Sequence, residues 1–197
     1  MSLSVVPFTG PSAAEHLPAI ARLRIRVFRE FPYLYDGNMA YEEKYLQHFL
    51  EAEDAIVVVA FHAGQVVGVS TGLPLAGEPA TVRTPWEQTG EQVSGIYYFS
   101  ESVLLPEFRG QGIGRRFFTE REAWASARGY GLATFCAVVR PEDHPRRPDD
   151  YQPLDDFWRH RGFQMCPGLV CEMRWQDVGE PAEETKVLQF WAKNLRD

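Results

Sequence analysis

The sequence predicts an α/β domain built on a mixed sheet, and three observations predict it. β-rich runs and amphipathic stretches follow one another in the order β-α-α-β-β-β-α-β-α-β-β. The segment AIVVVAFHAGQVVGVSTGLPL (55–75) is two β-rich runs folded back at Ala63-Gly64. GIYYFSESVLL (95–105) runs directly into a glycine-rich stretch and a helix, and LATFCAVV (132–139) beyond it is apolar almost throughout, like a strand buried on both faces. The chain has 197 residues, 45% hydrophobic and 13% aromatic, enough for one core, so a single domain over 1–197 is expected.

Along the chain, LSVVPF (3–8) reads as the first strand. A helix over 12–29 follows: Ser12 and Glu15 have capping-box spacing, and Ile20, Leu23 and Val27 share a face. Pro18 weakens its first turn, which places the regular part later. The aromatic loop FREFPYLYDG ends at Gly37, and a second helix over 39–53 presents Tyr41, Tyr45, Leu46 and Phe49 as its apolar face. After the strand pair, the polar segment 76–92 has room for a short helix around Trp86. From Gly112 to Arg128 a helix sets Ile113, Phe117 and Trp124 on one side. Four prolines in RPEDHPRRPDDYQP (140–153) rule out regular structure there. A short helix over 154–161 ends at Gly162, a suitable left-handed cap, and strands at 169–178 and 186–195 close the domain.

Composition narrows the function. No apolar window of eighteen residues exists, and MSLSVVPFTG lacks the basic start and long apolar core of a signal peptide, so a cytoplasmic protein without membrane contact is expected. A net charge of −7 and a pI near 5.3 argue against nucleic acid as partner. Cys136, Cys166 and Cys171 are odd in number and lack metal-ligand spacing, which predicts no disulfide and no metal. Arg109, Arg115, Arg116, Arg121 and Arg128 cluster locally, as a site for a small anion or as a solvated basic helix face.

The glycine stretch is Arg109-Gly110-Gln111-Gly112-Ile113-Gly114. Strand, glycines, then helix is the layout of a phosphate cradle: the first helical N–H groups lack internal partners, and glycine lets an anion approach them. The P-loop pattern fails because no lysine follows, and the dinucleotide pattern fails because arginine stands where its third glycine belongs. The stretch does match the Arg/Gln-x-x-Gly-x-Gly/Ala signature of the GNAT superfamily of acyl-CoA N-acyltransferases. The preceding strand closing in Pro106-Glu107, the apolar strand 132–139 and the later Gly162-Phe163 pair also resemble that family. The resemblance is clearest over 95–165 and, by element order, spans nearly the whole chain.

The resemblance implies a splayed mixed sheet of about seven strands flanked by about four helices, and acetyl-CoA as cosubstrate without a metal. It places the coenzyme pyrophosphate on the amides of Gly110, Gln111, Gly112, Ile113, Gly114 and Arg115, with Arg109, Arg115 or Arg116 near the phosphates. It lays the pantetheine along the backbone of Ser102, Val103 and Leu104, and makes an N–H near Val103 or Leu104 the oxyanion donor.

Acetyl transfer to an amine needs a base, because an alkylammonium with pKa about 10.4 is far below 1% neutral at pH 7. Glu101, a carboxylate in an apolar strand beside the implied thioester, is the base candidate; a salt-bridged glutamate is its plainer role. Of Tyr97 and Tyr98, one is expected to face the cleft. The family's usual acid, a tyrosine four residues before the Gly-Phe pair, is replaced by Trp158, suited to packing; Arg140 replaces an asparagine often found after the fifth strand. His144 and Tyr151 in the proline-rich loop are the remaining acid, base or contact candidates, with plain solvation the alternative for His144. Arg140 fits a substrate carboxylate, or an ion pair with Glu142 or Asp143. Tyr33, Tyr35 and Asp36, with Phe31, suit a cationic amine, and equally a packed loop anchor.

The expected function is therefore N-acetyl transfer from acetyl-CoA to a small-molecule primary amine. Alternatives are a protein N-terminal or lysine acetyltransferase, an acyl-CoA-binding sensory or scaffolding module without turnover, and, more remotely, a nucleotide-binding protein. Trp175, Phe190 and Trp191 in the last strand pair serve either a homodimer surface or the sheet itself.

Overall fold

The computed structural model describes residues 3–196; Met1, Ser2 and Asp197, the ends of the expected domain, lie outside the described residues. Its strands are β1 (Leu3–Phe8), β2 (Ile56–His62), β3 (Gln65–Pro74), β4 (Ile96–Leu104), β5 (Leu132–Val138), β6 (Gln164–Gln176) and β7 (Glu183–Asn194). They form one seven-stranded sheet in the order β1-β2-β3-β4-β5-β7-β6. Neighbours are antiparallel except β4 and β5, so the sheet is mixed, as expected.

Five helices accompany it: α1 (Leu17–Phe28), α2 (Met39–Glu51), α3 (Ala80–Glu87), α4 (Ile113–Ala127) and α5 (Asp155–His160). The count exceeds the expected four because the segment around Trp86 closes a helix of its own, burying Val82 and Trp86. Val57, Val58, Val59 and Ala60 are at most 1% exposed. Successive strand residues face opposite sides, so both faces of β2 are covered. One core cluster joins α1, α2 and α4 to the sheet, and a second gathers Leu75, Trp86, Tyr98, Cys136, Trp175 and Phe190 near α3.

Several boundaries differ from the sequence expectation for local reasons. Residues 10–16 form a 3-10 turn, and α1 starts at Leu17, because Pro18 fits only the first turn of an α-helix. Ser12 does not cap a helix with Glu15; its Oγ donates to Thr9 O at 2.6 Å and accepts from Thr9 N at 3.1 Å. Asn38 caps α2 through Tyr41 N, and Tyr41 is exposed rather than part of the apolar face. β6 begins at Gln164, five residues early, because a register shift between Met165 and Val170 accommodates Pro167 and Gly168. Gly162 does take the left-handed conformation, at φ 85°.

Candidate active site

Two features of β4 shape the site. Its parallel pairing with β5 covers only Ile96↔Leu132 through Tyr98↔Thr134, after which Phe99–Leu104 has no strand partner on that side among the described residues. On its other side the register with β3 shifts: Thr71 pairs Glu101 and Leu73 pairs Tyr98, so Gly72 alone faces Phe99 and Ser100. This bulge requires a bare residue at 72, where a Cβ would stand 2.7 Å from Tyr97 Cε1 and 3.1 Å from Tyr98 O. The consecutive residues Ser100 and Glu101 then reach different partners beside the free edge.

At the end of β4 the chain turns through Gly110 (φ 75°) and Gly112 (φ 79°) into α4. Among the described residues, no atom other than those of the glycine and its chain neighbours lies within 4 Å of a Cβ built at either position, so both glycines border open space. Ile113 and Phe117 anchor the helix in the core, and its first-turn amides point out of its end. Arg115, Arg116 and Gln111 are exposed. Arg109 is drawn back along the loop, with Nε 3.3 Å from Leu104 O and Nη2 3.0 Å from Glu30. An open glycine turn with unpaired amides fits a phosphate group.

The bulge rests on a buried charge cluster that no motif marked. Arg24 of α1 donates through Nε to Glu42 of α2 and lies 2.7 Å from Glu101 through Nη1. Tyr45 donates to Glu101 Oε2 at 2.8 Å, and the Arg24 guanidinium lies over the rings of Tyr45 and Phe28. Burial pushes the Arg24 guanidinium down, but Glu101, Tyr45 and Glu42 outweigh it and raise it overall. Burial and Glu101 push the Tyr45 hydroxyl well up. Glu42 Oε1 and Glu101 Oε1 are buried without hydrogen-bond partners among the described residues. Two carboxylates thus share one guanidinium, and one unpartnered acceptor, on Glu101, sits directly beside the bulge.

Under the same stretch of β4, Arg121 of α4 is 1% exposed. It donates to Phe117 O, Thr71 O and Glu101 O, and to Ser102 Oγ at 2.8 Å, while stacking on Phe99. Burial lowers its guanidinium to about 9, because carbonyls rather than a carboxylate receive it. Arg121 therefore ties α4, β3 and the bulge together. Ser102 beside it is exposed, Val103 is buried and Leu104 is half-buried.

The remaining candidates gather around the aromatic loop. Arg140 pairs with neither Glu142 nor Asp143; it grips Asp177 at 2.8 and 2.9 Å and donates to Pro32 O and Tyr33 O. Lys186 adds a second cation to Asp177 at 3.2 Å. Burial opposes ionisation of Asp177, but Arg140 and Lys186 hold it below its ordinary value. Trp175 Nε1 also donates to Tyr33 O, so this loop is anchored to the end of β6. Tyr33 is pushed up by burial, with Cys136, Tyr151 and Glu101 as nearby charge partners. Burial and Glu42 raise Tyr35, while Asp36 forms an exposed pair with Arg29. His144 and Tyr151 both pack on Phe31, at 5.5 and 4.7 Å between ring centres. His144 Nδ1 accepts from Arg146 N. Tyr98 is buried, its hydroxyl 3.0 Å from Cys136 Sγ, and the Tyr97 hydroxyl donates to Asp54 O. Trp158 packs between Phe135 and Trp191. Trp175, Phe190 and Trp191 are buried within the chain.

The family model described as the acetyltransferase (GNAT) family matches residues 20–148. No curated protein gives a significant match. Similar solved structures include an N-acetyltransferase from Staphylococcus aureus Mu50, 14% identical, with all of both chains covered and a TM-score of 0.64. A ribosomal-protein-alanine N-acetyltransferase from Brucella melitensis is 18% identical over 97% of this chain and 99% of that one, with a TM-score of 0.64. The paiA N-acetyltransferase from Thermoplasma acidophilum, in complex with coenzyme A, is 12% identical over 98% and 99%, with a TM-score of 0.58. At these identities the likeness is one of fold. Among the described residues no helix is long and apolar enough to cross a membrane, and no group of acidic, histidine and cysteine side chains is placed to hold a metal ion.

Proposed function

Because the chain belongs to the acetyltransferase (GNAT) family, we propose that it transfers the acetyl group of acetyl-CoA to the primary amine of a small molecule in the cytoplasm. One observation carries this reading. The free edge of β4 joins the open glycine turn at one end and the unpartnered Glu101 Oε1 at the other, so coenzyme and acceptor sites meet at the bulge.

The amides of residues 110–115 take the pyrophosphate, with Arg109 and Arg115 beside it, and the backbone of Ser102, Val103 and Leu104 lines the pantetheine. Bound there, acetyl-CoA supplies an acetyl group activated as a thioester. A β4 N–H near Val103 receives the developing negative charge on the carbonyl oxygen. Glu101 receives the acceptor's nitrogen, and Tyr33, Tyr35 and Asp36 border its approach. Tyr98, buried in the core, supports the floor of the cleft. Tyr151, raised by burial, stays protonated at neutral pH and serves as donor to the leaving thiolate, with His144 beside it. A small acceptor is favoured because α3 and the turn before it bury Glu78 against Ser100 and narrow the cleft.

The test is release of free thiol from acetyl-CoA over a panel of primary amines, with an alanine-terminated peptide included. Turnover of small amines above the peptide supports the reading. Turnover of the peptide alone moves the assignment to protein acetylation, and tight acetyl-CoA binding without turnover moves it to a sensory module.

A further inference from the structure

Glu78 belongs to no motif, yet it is 8% exposed and Ser100 Oγ donates to its Oε1 at 3.1 Å. Ser100 lies in the bulge and Glu101 is the next residue, paired with Thr71, so two buried carboxyls, Glu78 against Ser100 and Glu101 itself, stand side by side at the free edge of β4. They are satisfied differently. Glu101 has Arg24 and Tyr45; Glu78 has a hydroxyl and no ion-pair partner among the described residues. Arg83 of α3 reaches only the main-chain carbonyl of Glu78 and pairs with Glu87. Protonating a carboxylate held by a guanidinium sacrifices that pair, whereas protonating an unpaired buried carboxylate relieves its desolvation.

Resting on the acetyl-transfer reading, we propose that Glu78 accepts the proton of the incoming amine, while Glu101 holds that amine as its ammonium through Oε1. The acceptor is then a cationic amine with no carboxylate on the carbon bearing nitrogen. Arg140 is committed to Asp177, Pro32 O and Tyr33 O, and Arg24 to Glu42 and Glu101, so a carboxylate at that carbon would meet carboxylates. The rings of Phe28, Tyr33 and Tyr45 around Arg24 and Glu101 suit an apolar or aromatic tail.

In the transfer, an N–H bond of the ammonium breaks toward the Glu78 carboxylate. The freed lone pair forms the N–C bond to the acetyl carbon, the C–S bond breaks, sulfur takes the Tyr151 hydroxyl proton, and the second departing nitrogen proton restores Tyr151. The products are the amide, the thiol and protonated Glu78, which returns its proton to water. Burial and Glu101 raise the Glu78 carboxyl from 4.5 to about 7 against the lowering effect of Ser100, where a general base is most effective at neutral pH. The other titratable groups facing it are Tyr98 on β4, Tyr45 on α2 and Cys136 on β5. Burial pushes both hydroxyls well up, and contact with Cys171 together with burial does the same for the Cys136 thiol.

The test compares phenethylamine and phenylalanine as acceptors for the full chain, Glu78→Gln and Glu101→Gln, with kcat and KM followed from pH 5 to 9. In Glu78→Gln, kcat on phenethylamine falls about 100-fold or more and the limb near pH 7 disappears, with acetyl-CoA affinity unchanged. Glu101→Gln raises the amine KM more than it lowers kcat, and phenylalanine is used about 100-fold less efficiently than phenethylamine. Should Glu78→Gln not fold, Glu78→Asp, which withdraws the carboxyl by one methylene, takes its place and shows the same kcat loss. An unchanged kcat and pH limb in the variant, or phenylalanine used as well as phenethylamine, overturns the proposal. Absence of turnover by the unmodified chain on every amine would sink acetyl transfer itself; turnover indifferent to position 78 removes Glu78 alone.

Discussion

Replacing Glu78 with glutamine should raise the stability of the protein at pH 8 relative to its stability at pH 5, compared with the unmodified chain. The folded carboxyl is raised from 4.5 to about 7, chiefly by burial, so the native state binds the proton more tightly than the unfolded chain. The stability contributed by the protonated form is complete below pH 4.5, declines between 4.5 and about 7, and is lost above. At about 1.4 kcal/mol per pH unit that window amounts to about 3 kcal/mol. Glutamine resembles the protonated acid and never ionises, so it escapes the decline. For a chain of this size, about 3 kcal/mol moves Tm by roughly 6 to 12 °C. The amide brings an N–H that the acid lacks, and this offset is the same at every pH. The informative quantity is therefore how the Tm difference between the two proteins changes with pH, followed by circular dichroism from pH 5 to 8. Parallel Tm curves would refute the reasoning, since they would mean that Glu78 titrates alike folded and unfolded. Stability gained at the pH where turnover is lost is the expected signature of a buried catalytic carboxyl.

Other perturbations test the rest of the site. Arg24→Met leaves Glu42 and Glu101 buried without their cation, which should destabilise the fold by about 3–5 kcal/mol in chemical denaturation. Gly112→Ala puts a Cβ on a residue at φ 79°, at about 1–2 kcal/mol, and into the open space of the glycine turn. Calorimetry should show acetyl-CoA affinity falling well beyond what that small stability loss explains. In Arg140→Ala the lowered Asp177 loses its main partner. The stability from that pairing, present above 3.8 and lost as pH falls below it, should vanish from the acid unfolding curve, and Trp175 near-ultraviolet signals should weaken.

The element order, the hairpin at Ala63-Gly64 and the glycine turn were legible in the sequence because each depends on residues adjacent in the chain. Alternation and helical periodicity mark faces, and a positive φ such as that at 110 and 112 favours glycine for reasons local to the backbone. Part of the charge cluster had a local signal too. Arg24 continues the buried stripe Leu17, Ile20 and Ala21 on α1, and Glu42 continues Leu46 and Phe49 on α2, so opposite charges stood at core positions of successive helices. Nothing local marked Glu78, which follows a short 3-10 turn, or Ser100, an ordinary strand serine. Nor did any spacing join Arg140 to Asp177 rather than to the acids beside it. Those pairings belong to the tertiary structure. The proton affinity of a carboxyl is set by the water it loses and the charges it meets through space, and both are supplied by segments that the sequence keeps far apart.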